Sequence, residues 1–281
     1  MGDPSVTTNG RKLLDPSELG TKEYWEKCYE RELKNHTADP EDEGINWFEE
    51  SNAEDVVLKL LSSYDLTSGG GLDREDTRFL DLGTGNGHML FALREDENEH
   101  GERWLGDMLG VDYSPKSVEL AKQINEQRKE ELDEDDEQGY ANVELQQWDL
   151  LTEQPDEGWL RDGFEVVLDK GTFDAISLMP TTDGQSHPCE VYRERVVRLI
   201  KPANFLIVTS CNWTKEELVS WLVTEDSGLH YHDEAKYPTF KFGGKTGQSV
   251  VTVVFKRDSL LSGIVRTETA VLDSSDESGS E

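Results

Sequence analysis

The sequence predicts an α/β fold of the doubly wound type, with a mostly parallel, seven-stranded sheet and helices on both of its faces. Apolar strand segments alternate with amphipathic helical segments between residues 78 and 222. A glycine-rich turn follows the first strand, and two more strand segments near the C-terminus predict an antiparallel hairpin. Parallel strands joined through helices bind ligands at their carboxyl ends. That edge of the sheet is therefore where a functional site is expected.

The glycine-rich turn connects the first strand to the helix that follows it. Residues 79–82 are apolar except for one acid, as expected of a parallel strand that is buried on both faces. Gly83, Gly85 and Gly87 permit backbone conformations that other residues avoid, and they let a ligand approach bare main chain. Residues 88–94 are predicted to be helical, with free N–H groups facing the turn. A glycine turn in this context favours a nucleotide-type cofactor site.

The other elements continue the alternation. Strands are predicted at residues 108–112, 143–148, 164–168 and 205–209, and helices at 21–33, 53–62, 115–130, 191–199 and 214–218. Thr21 and Thr214 are suited to cap their helices, because a hydroxyl accepts hydrogen bonds from the first free N–H groups. Residues 237–242 and 250–255 are predicted to form the C-terminal hairpin through a turn at residues 243–247.

The ends of the chain differ in composition from the periodic region. Residues 1–16 are polar and are expected to be loose, whereas residues 17–257 are expected to form one domain. Residues 258–281 end in a run of Ser, Asp and Glu, which predicts a disordered acidic tail. Residues 131–137 hold six acids and predict a solvated insertion.

The net charge limits the choice of partners. The chain has 28 basic and 60 acidic residues, which gives a formal charge of −32. Such a chain repels nucleic acid and anionic membranes, so neither is expected as a partner. It would attract a basic protein, although acidic runs more often serve only solubility. Solubility is therefore the favoured explanation of the acidic residues.

Cysteine and histidine usage argues against a metal site or a disulfide framework. The three cysteines are widely spaced, and no C-x-x-C motif is present. His230 and His232 alternate on a possible strand, but no third ligand is apparent. No signal peptide or membrane-spanning run is apparent, so the cytoplasm is the expected location, with the nucleus as a second compartment.

Four predicted strands end on an acid, and these acids indicate a pocket. They are, in chain order, Asp81, Asp112, Asp149 and Asp169. Any one of them could be an ordinary turn residue or helix cap. Because the carboxyl ends of parallel strands lie at one edge of the sheet, four acids in this register favour a ligand site.

Asp81 distinguishes between two candidate cofactors. A dinucleotide pyrophosphate would meet this carboxylate in a turn whose only side chains are Thr84, Asn86 and His88, none of them a permanent cation. S-adenosylmethionine has no phosphate, and its amino group and sulfonium would be attracted to an acid. The acids that end the second and third strands would then suit the ribose hydroxyls and the adenine amino group. The electrostatics favour S-adenosylmethionine, with S-adenosylhomocysteine as product.

Several segments resemble known methyltransferases. Residues 81–87, Asp-Leu-Gly-Thr-Gly-Asn-Gly, look like the first motif of the seven-strand, class I methyltransferases. Residues 168–176, Leu-Asp-Lys-Gly-Thr-Phe-Asp-Ala-Ile, resemble the lysine methyltransferases that modify elongation factor 1-alpha. Residues 19–25, 47–48 and 242–247 are similar to the branch called elongation factor methyltransferase 4 or methyltransferase-like protein 10. The resemblance implies a Rossmann-like methyltransferase domain.

The resemblance also implies roles for individual residues. In this family the segment before the first strand folds over the cofactor, which is otherwise held by the ends of the strands. The implied cofactor-binding residues are Tyr24, Trp25, Trp47, Asp81, Gly83, Gly85, Asn86, Asp112, Tyr113, Asp149, Leu150 and Asp169. Lys170-Gly171-Thr172 follows Asp169 where nucleic-acid methyltransferases carry Pro-Pro-Tyr, which argues against a base as methyl acceptor.

Two residues are candidates for the methyl-transfer step. Asp169 is expected to orient the ammonium of the acceptor lysine, with a helix cap or a cofactor contact as alternatives. Trp213 is expected to wall a channel for the lysine stem, although packing is the commoner fate of such a residue. Lys170 is expected to form an ordinary ion pair with Asp169 or Asp174.

The function predicted from the sequence is S-adenosylmethionine-dependent methylation of a protein lysine, with elongation factor 1-alpha as the implied substrate. Two alternatives remain at this point. The first is a class I methyltransferase that acts on another protein or on a small molecule, or that binds the cofactor without turnover. The second is an oxidoreductase that uses the same glycine turn for a nicotinamide dinucleotide.

Overall fold

The computed structural model describes residues 7–8, 10–131, 142–181, 185–238, 240–242, 245–247 and 249–259. Within these residues, seven strands form one sheet: β1 (Phe79–Leu82), β2 (Met108–Asp112), β3 (Val143–Gln147), β4 (Phe164–Lys170), β5 (Ile200–Ser210), β6 (Leu229–Glu234) and β7 (Val251–Arg257). Their order is β3-β2-β1-β4-β5-β7-β6. Strand β7 runs antiparallel to β5 and β6. The other neighbouring pairs of the sheet, β3–β2, β2–β1, β1–β4 and β4–β5, are parallel. The predicted doubly wound, mostly parallel sheet is confirmed.

Helices cover both faces of this sheet. The described helices are α1 (Lys22–Ala38), α2 (Ala53–Tyr64), α3 (His88–Glu95), α4 (Pro115–Glu131), α5 (Glu157–Leu160), α6 (Thr172–Ser177), α7 (Pro188–Leu199) and α8 (Lys215–Leu222). One apolar core lies between the sheet and α1–α4, and a second lies between the sheet and α5–α8. Thr21 and Thr214 cap α1 and α8 as predicted.

Side-chain alternation along the strands divides the residues between the two cores. Leu80 and Leu82 of β1 pack in the second core, whereas Phe79 packs in the first. In β4, Val166 and Leu168 likewise belong to the first core. Because successive residues of a strand point to opposite faces, Asp81 and Lys170 lie on the α1–α4 side, and Asp169 lies on the α5–α8 side.

The predicted C-terminal antiparallel hairpin is confirmed, but the segment predicted as its first strand, residues 237–242, is wrong. Val251–Arg257 forms a strand as expected, but its neighbours are β5 and Leu229–Glu234. Phe240–Phe242 pairs instead with Lys245–Gly247 in a separate two-stranded sheet. The sequence between β6 and β7 is long enough to form its own local hairpin, which leaves β7 free to insert between β5 and β6.

The structure describes part of the N-terminal segment but little of the acidic insertion and of the C-terminal tail. Residues 132–137 of the predicted acidic insertion and residues 260–281 of the predicted tail lie outside the described residues. Arg11 contacts α8, where its Nε donates to the Ser220 carbonyl at 2.6 Å, and Leu13 and Leu14 pack on the second core. Among the described helices, none combines the length and the apolar character needed to cross a bilayer.

Candidate cofactor site

A cavity of about 180 Å³ opens at the carboxyl ends of the parallel strands. Its walls come from the start of α1 and the preceding loop, from Trp47 and Phe48, from the ends of β1, β2 and β4, and from α6. Seven residues implied by the sequence line it: Trp25, Trp47, Gly83, Asp112, Tyr113, Asp149 and Leu150. The other proposed residues, Tyr24, Asp81, Gly85, Asn86, Asp169 and Trp213, are not among the lining residues.

The glycine turn presents one of its glycines to the cavity. Gly83 has φ +64°, and a Cβ there would lie 2.1 Å from Thr172 Oγ1. Gly85 lies deeper, where its N–H donates to Asp112 at 3.2 Å and a Cβ would meet the Tyr29 hydroxyl at 2.9 Å. The side chain of Asn86 is also turned away, and its amide donates to the Glu43 carbonyl at 3.0 Å. Of Gly83, Gly85 and Asn86, only Gly83 lines the cavity and offers bare main chain to a ligand.

Asp112 joins the end of β2 to the glycine turn. Its Oδ2 accepts from the Gly85 N–H, and its Oδ1 accepts from the Ser114 N–H at 2.9 Å. The side chain is buried but still lines the cavity, and burial raises the pKa of the carboxyl to about 6. A fixed acceptor of this kind suits the vicinal hydroxyls of a ribose.

Asp81 is buried near the end of β1, directly before Leu82 and Gly83, which line the cavity. The residue is 3% exposed, and burial raises the pKa of its carboxyl to about 7, while the positive charge of Lys170 acts in the opposite direction. A cation placed above it would stabilise the ionised form. The position fits the amino group or sulfonium of S-adenosylmethionine better than a pyrophosphate.

Asp149 is linked to the cover of the cavity. Its carboxylate forms an ion pair with Lys22 of α1, and Lys22 Nζ lies 5.1 Å from the centre of the Tyr113 ring. Although burial alone would raise it, the pKa of Asp149 is held below its usual value by the hydrogen bond from Lys22. These groups close the end of the cavity that lies between α1 and the segment after β3.

The N-terminal aromatic residues form part of the cavity wall, as the family resemblance implies. Trp25 Nε1 donates to the Leu19 carbonyl at 2.7 Å, and the rings of Trp25 and Trp47 meet edge to face with centroids 5.1 Å apart. Tyr24 packs on Trp25 from outside the cavity. The loop before α1 is held in turn by the Ser17 N–H, which donates to the Leu178 carbonyl at 3.2 Å.

The structure does not bring Asp169 to the cavity surface. It is 1% exposed on the α5–α8 side of the sheet, its two oxygens lie 3.1 Å from the Phe173 nitrogen, and the Tyr192 hydroxyl donates to it at 2.7 Å. Burial raises the pKa of Asp169 to about 7. The alternative of a helix cap, here on α6, describes this carboxylate.

Trp213 is likewise a packing residue. It is 4% exposed in the second core, where its ring meets Phe173 and Trp221. Trp213 is not among the residues that line the cavity, so the structure does not support the expectation that it walls a substrate channel. Asp169 and Trp213 thus support the cavity through α6 without lining it.

Sequence reasoning missed several residues of the wall. They include Tyr29, Phe48, Thr172, Asp174, Met179, Cys211 and Asn212. It also assigned Lys170 to an ion pair with Asp169 or Asp174. Instead, Lys170 Nζ donates to Asn46 Oδ1 at 3.1 Å and to the Trp47 carbonyl at 3.0 Å. Strand alternation could have found Lys170, since it lies two residues beyond the buried Leu168.

The residues present fit S-adenosylmethionine. The bare main chain at Gly83, the buried Asp81 and the acceptor Asp112 match its amino acid end and its ribose, and aromatic and aliphatic side chains form most of the wall. Within the part of the chain that the structure describes, no three His, Cys, Asp or Glu side chains come together as metal ligands.

Comparison with known proteins agrees with this geometry. A family model described as a methyltransferase domain matches residues 73–253. The chain is 36% identical over 252 residues to protein-lysine N-methyltransferase EFM4 of Saccharomyces cerevisiae, which covers 89% of this chain and 99% of the yeast protein. It is also 36% identical to EEF1A lysine methyltransferase 2 of Danio rerio, over 91% of this chain and 95% of the fish protein.

The solved structures add support for the fold alone. The [4+2]-cyclase SpnF superposes with a TM-score of 0.54 at 14% identity, over 89% of this chain and 99% of that one. These relatives are methyltransferases, and this chain aligns with nearly their whole length. The comparison therefore favours S-adenosylmethionine over a nicotinamide dinucleotide as the cofactor. The chain is an S-adenosylmethionine-dependent enzyme that belongs to the protein-lysine N-methyltransferase family of EFM4 and EEF1A lysine methyltransferase 2.

Proposed function

We propose that this enzyme transfers a methyl group from S-adenosylmethionine to a lysine side chain of elongation factor 1-alpha. The observation that carries the proposal is the similarity to EFM4 and to EEF1A lysine methyltransferase 2, which covers 89% and 91% of this chain. We further propose that the enzyme acts as a monomer in the cytoplasm. Its net charge of −32 favours a protein acceptor over nucleic acid.

The proposed cofactor-binding roles follow the order of the strand ends. Gly83 offers main chain to the methionine end and Asp81 supplies a negative charge below it. Asp112 accepts hydrogen bonds from the ribose, and Tyr113 and Leu150 bound the adenine. When bound, S-adenosylmethionine supplies an activated methyl group on a sulfonium. The protein's contribution is to align an acceptor nitrogen with that methyl group and to exclude water.

The acceptor must be neutral when it reacts. With a reference pKa of about 10.4, the neutral form of lysine costs about 4–5 kcal/mol near pH 7. Entry into an apolar cavity that also holds a sulfonium would lower that pKa. Asp174 lines the cavity, with its carboxylate fixed by the Ser210 hydroxyl and the Cys211 N–H, so we assign to it the attraction of the ammonium first given to Asp169.

The proposal is tested by incubating the enzyme with labelled S-adenosylmethionine and unmethylated elongation factor 1-alpha from the same organism, and then mapping the labelled peptides. We expect label on one lysine, and none with the Asp112→Ala variant. Label on another protein of a cell extract would change the acceptor. Label on a small molecule or a protein terminus would change the chemical class, and binding without transfer to any acceptor would indicate a module that has lost turnover.

A further inference from the structure

Lys170 is a cation in the wall of the cofactor cavity. It is the last residue of β4, its side chain is 15% exposed, and it lies on the same face of the sheet as Asp81. Its Nζ donates to Asn46 Oδ1 and to the Trp47 carbonyl, both of which are neutral acceptors. An ammonium has three N–H donors, so these two bonds leave one for another partner.

The charge of Lys170 is only partly balanced by the protein. The nearest carboxylate oxygen, Glu54 Oε1, lies 3.7 Å from Nζ. The other oxygen of Glu54 is bound to His88 Nδ1 at 2.7 Å and to the Asn46 amide at 2.8 Å. The hydrogen bond to Glu54 raises the pKa of His88, which favours its cationic form. Lys170 therefore shares Glu54 with His88, in a chain whose overall charge is strongly negative.

Asp81 and Lys170 are an acid and a base on the same face of the sheet, and only Lys170 of the two lines the cavity. They lie near the ends of the neighbouring strands β1 and β4, where Leu82 pairs with Asp169. The charge of Lys170 acts on the Asp81 carboxyl. The amino acid end of S-adenosylmethionine has an ammonium and a carboxylate on the same carbon. We propose that Lys170 binds this carboxylate while Asp81 attracts the ammonium, which makes Lys170 a specificity residue for the intact amino acid end.

This inference rests on the proposed use of S-adenosylmethionine, and it competes with a simpler role for Lys170. The lysine also holds the loop that carries Trp47, so its removal could disturb the cavity wall without any ligand contact. The two roles differ in one measurable respect. If Lys170 only supports the loop, its removal weakens the binding of every ligand of the cavity by a similar factor. If Lys170 contacts the carboxylate, its removal weakens the binding only of ligands that have the carboxylate.

The experiment compares S-adenosylmethionine with decarboxylated S-adenosylmethionine, which retains the sulfonium and the amino group. Affinities for the full-length protein, for Lys170→Met and for Lys170→Arg are measured by isothermal titration calorimetry. We expect wild type to prefer the carboxylated donor by at least about tenfold, as a charge-assisted hydrogen bond implies. In Lys170→Met the preference should fall to near unity, and in Lys170→Arg part of it should remain.

Lys22→Met is the matched control, because it removes a lysine from the adenine end of the same cavity. It should change the affinity for both donors by the same factor. An equal loss for both donors in Lys170→Met, or no preference in wild type, would overturn the inference while leaving S-adenosylmethionine as cofactor. Failure of wild type to bind either donor would overturn the proposed cofactor use and the inference with it.

Discussion

Gly83 lines the cavity with its main chain, and its environment leaves no room for a side chain. It has φ +64°, and a Cβ would overlap Thr172 Oγ1, which is hydrogen-bonded to the Leu82 carbonyl. We predict that Gly83→Ala costs about 1–3 kcal/mol of stability through backbone strain and displacement of Thr172. Affinity for S-adenosylhomocysteine should fall at least about tenfold. Thermal unfolding and titration calorimetry measure the two effects.

Gly71→Ala is the control for this substitution. Gly71 has no left-handed φ, and a Cβ there would meet nothing within 4 Å. Stability and affinity should both stay near the wild-type values. If Gly83→Ala bound the product as tightly as Gly71→Ala does, the ligand would not be using the turn.

Asp81 predicts a pH dependence of cofactor binding. Its free-state pKa of about 7 means that it is largely ionised at pH 8 and about nine-tenths protonated at pH 6. A cationic amino group binds better to the ionised form. Affinity should therefore fall as the pH drops through 7, and the free protein should release a proton on binding near that pH. We expect S-adenosylhomocysteine to bind up to about tenfold more weakly at pH 6 than at pH 8.

An Asp81→Asn variant separates the contribution of Asp81 to the pH dependence of binding from the contributions of other titrating groups. It should bind weakly at both pH values and have a flatter profile. Asp112, whose pKa burial raises to about 6, should account for the dependence that remains at the acid end. A pH profile identical to that of wild type in Asp81→Asn would exclude Asp81 as the titrating group.

At the scale of elements, α6 carries part of the cavity wall and is held by buried groups behind it. Asp169 accepts from the Phe173 N–H in its first turn and from the Tyr192 hydroxyl. We predict that Asp169→Ala lowers stability by about 1–3 kcal/mol, because a buried donor loses its acceptor, and lowers turnover through α6. Tyr192→Phe should produce a smaller loss of the same kind.

The comparison of these two variants decides between a positioning residue and a catalytic one. A catalytic Asp169 would give a large loss of turnover at nearly unchanged stability, while Tyr192→Phe stayed normal. Parallel losses of stability and turnover in both variants, measured by chemical denaturation and by initial rates, would support the positioning role.

The elements that could be predicted from sequence are those whose burial shapes their composition. Strands β1, β2, β4 and β5 contain apolar runs because these parallel strands are covered on both faces, whereas the edge strand β3 alternates buried and exposed residues. Strand β6, with the sequence Leu-His-Tyr-His-Asp-Glu, lies at the edge of the sheet and is mostly exposed, so it lacks such a run. The six-residue helix α6 is too short for a periodic pattern.

The residues of the site likewise separate into those that local sequence patterns place and those that depend on tertiary packing. Gly83 and Asp112 were predictable because motif spacing and strand ends place them. The ion pair of Lys22 with Asp149 depends on how α1 packs against the end of β3, which no local pattern encodes. Asp169 was misplaced because all four acids lie near the same edge of the sheet, while alternation turns this one to the opposite face from Asp81.

For the whole molecule, the prediction concerns where the folded domain ends. Strand β7 ends at Arg257 and pairs with both β5 and β6, so it joins the edge of the sheet to its centre. We propose that residues 260–281 contribute nothing to the fold or to cofactor binding. A chain that ends at Ser259 should unfold at the wild-type temperature. With S-adenosylhomocysteine at 100 times its Kd, both chains should gain about 5–10 °C in Tm.

A chain that ends at Val250 provides the contrast, since it lacks all of β7. It exposes the edges of β5 and β6 and removes the buried Val253, Val254 and Phe255 from the two cores. Loss of such side chains costs several kcal/mol each, about as much together as a domain of this size has in reserve. This shorter chain should show no cooperative unfolding and no ligand-induced shift. A lower Tm in the chain that ends at Ser259 would instead place part of the acidic C-terminus within the folded domain.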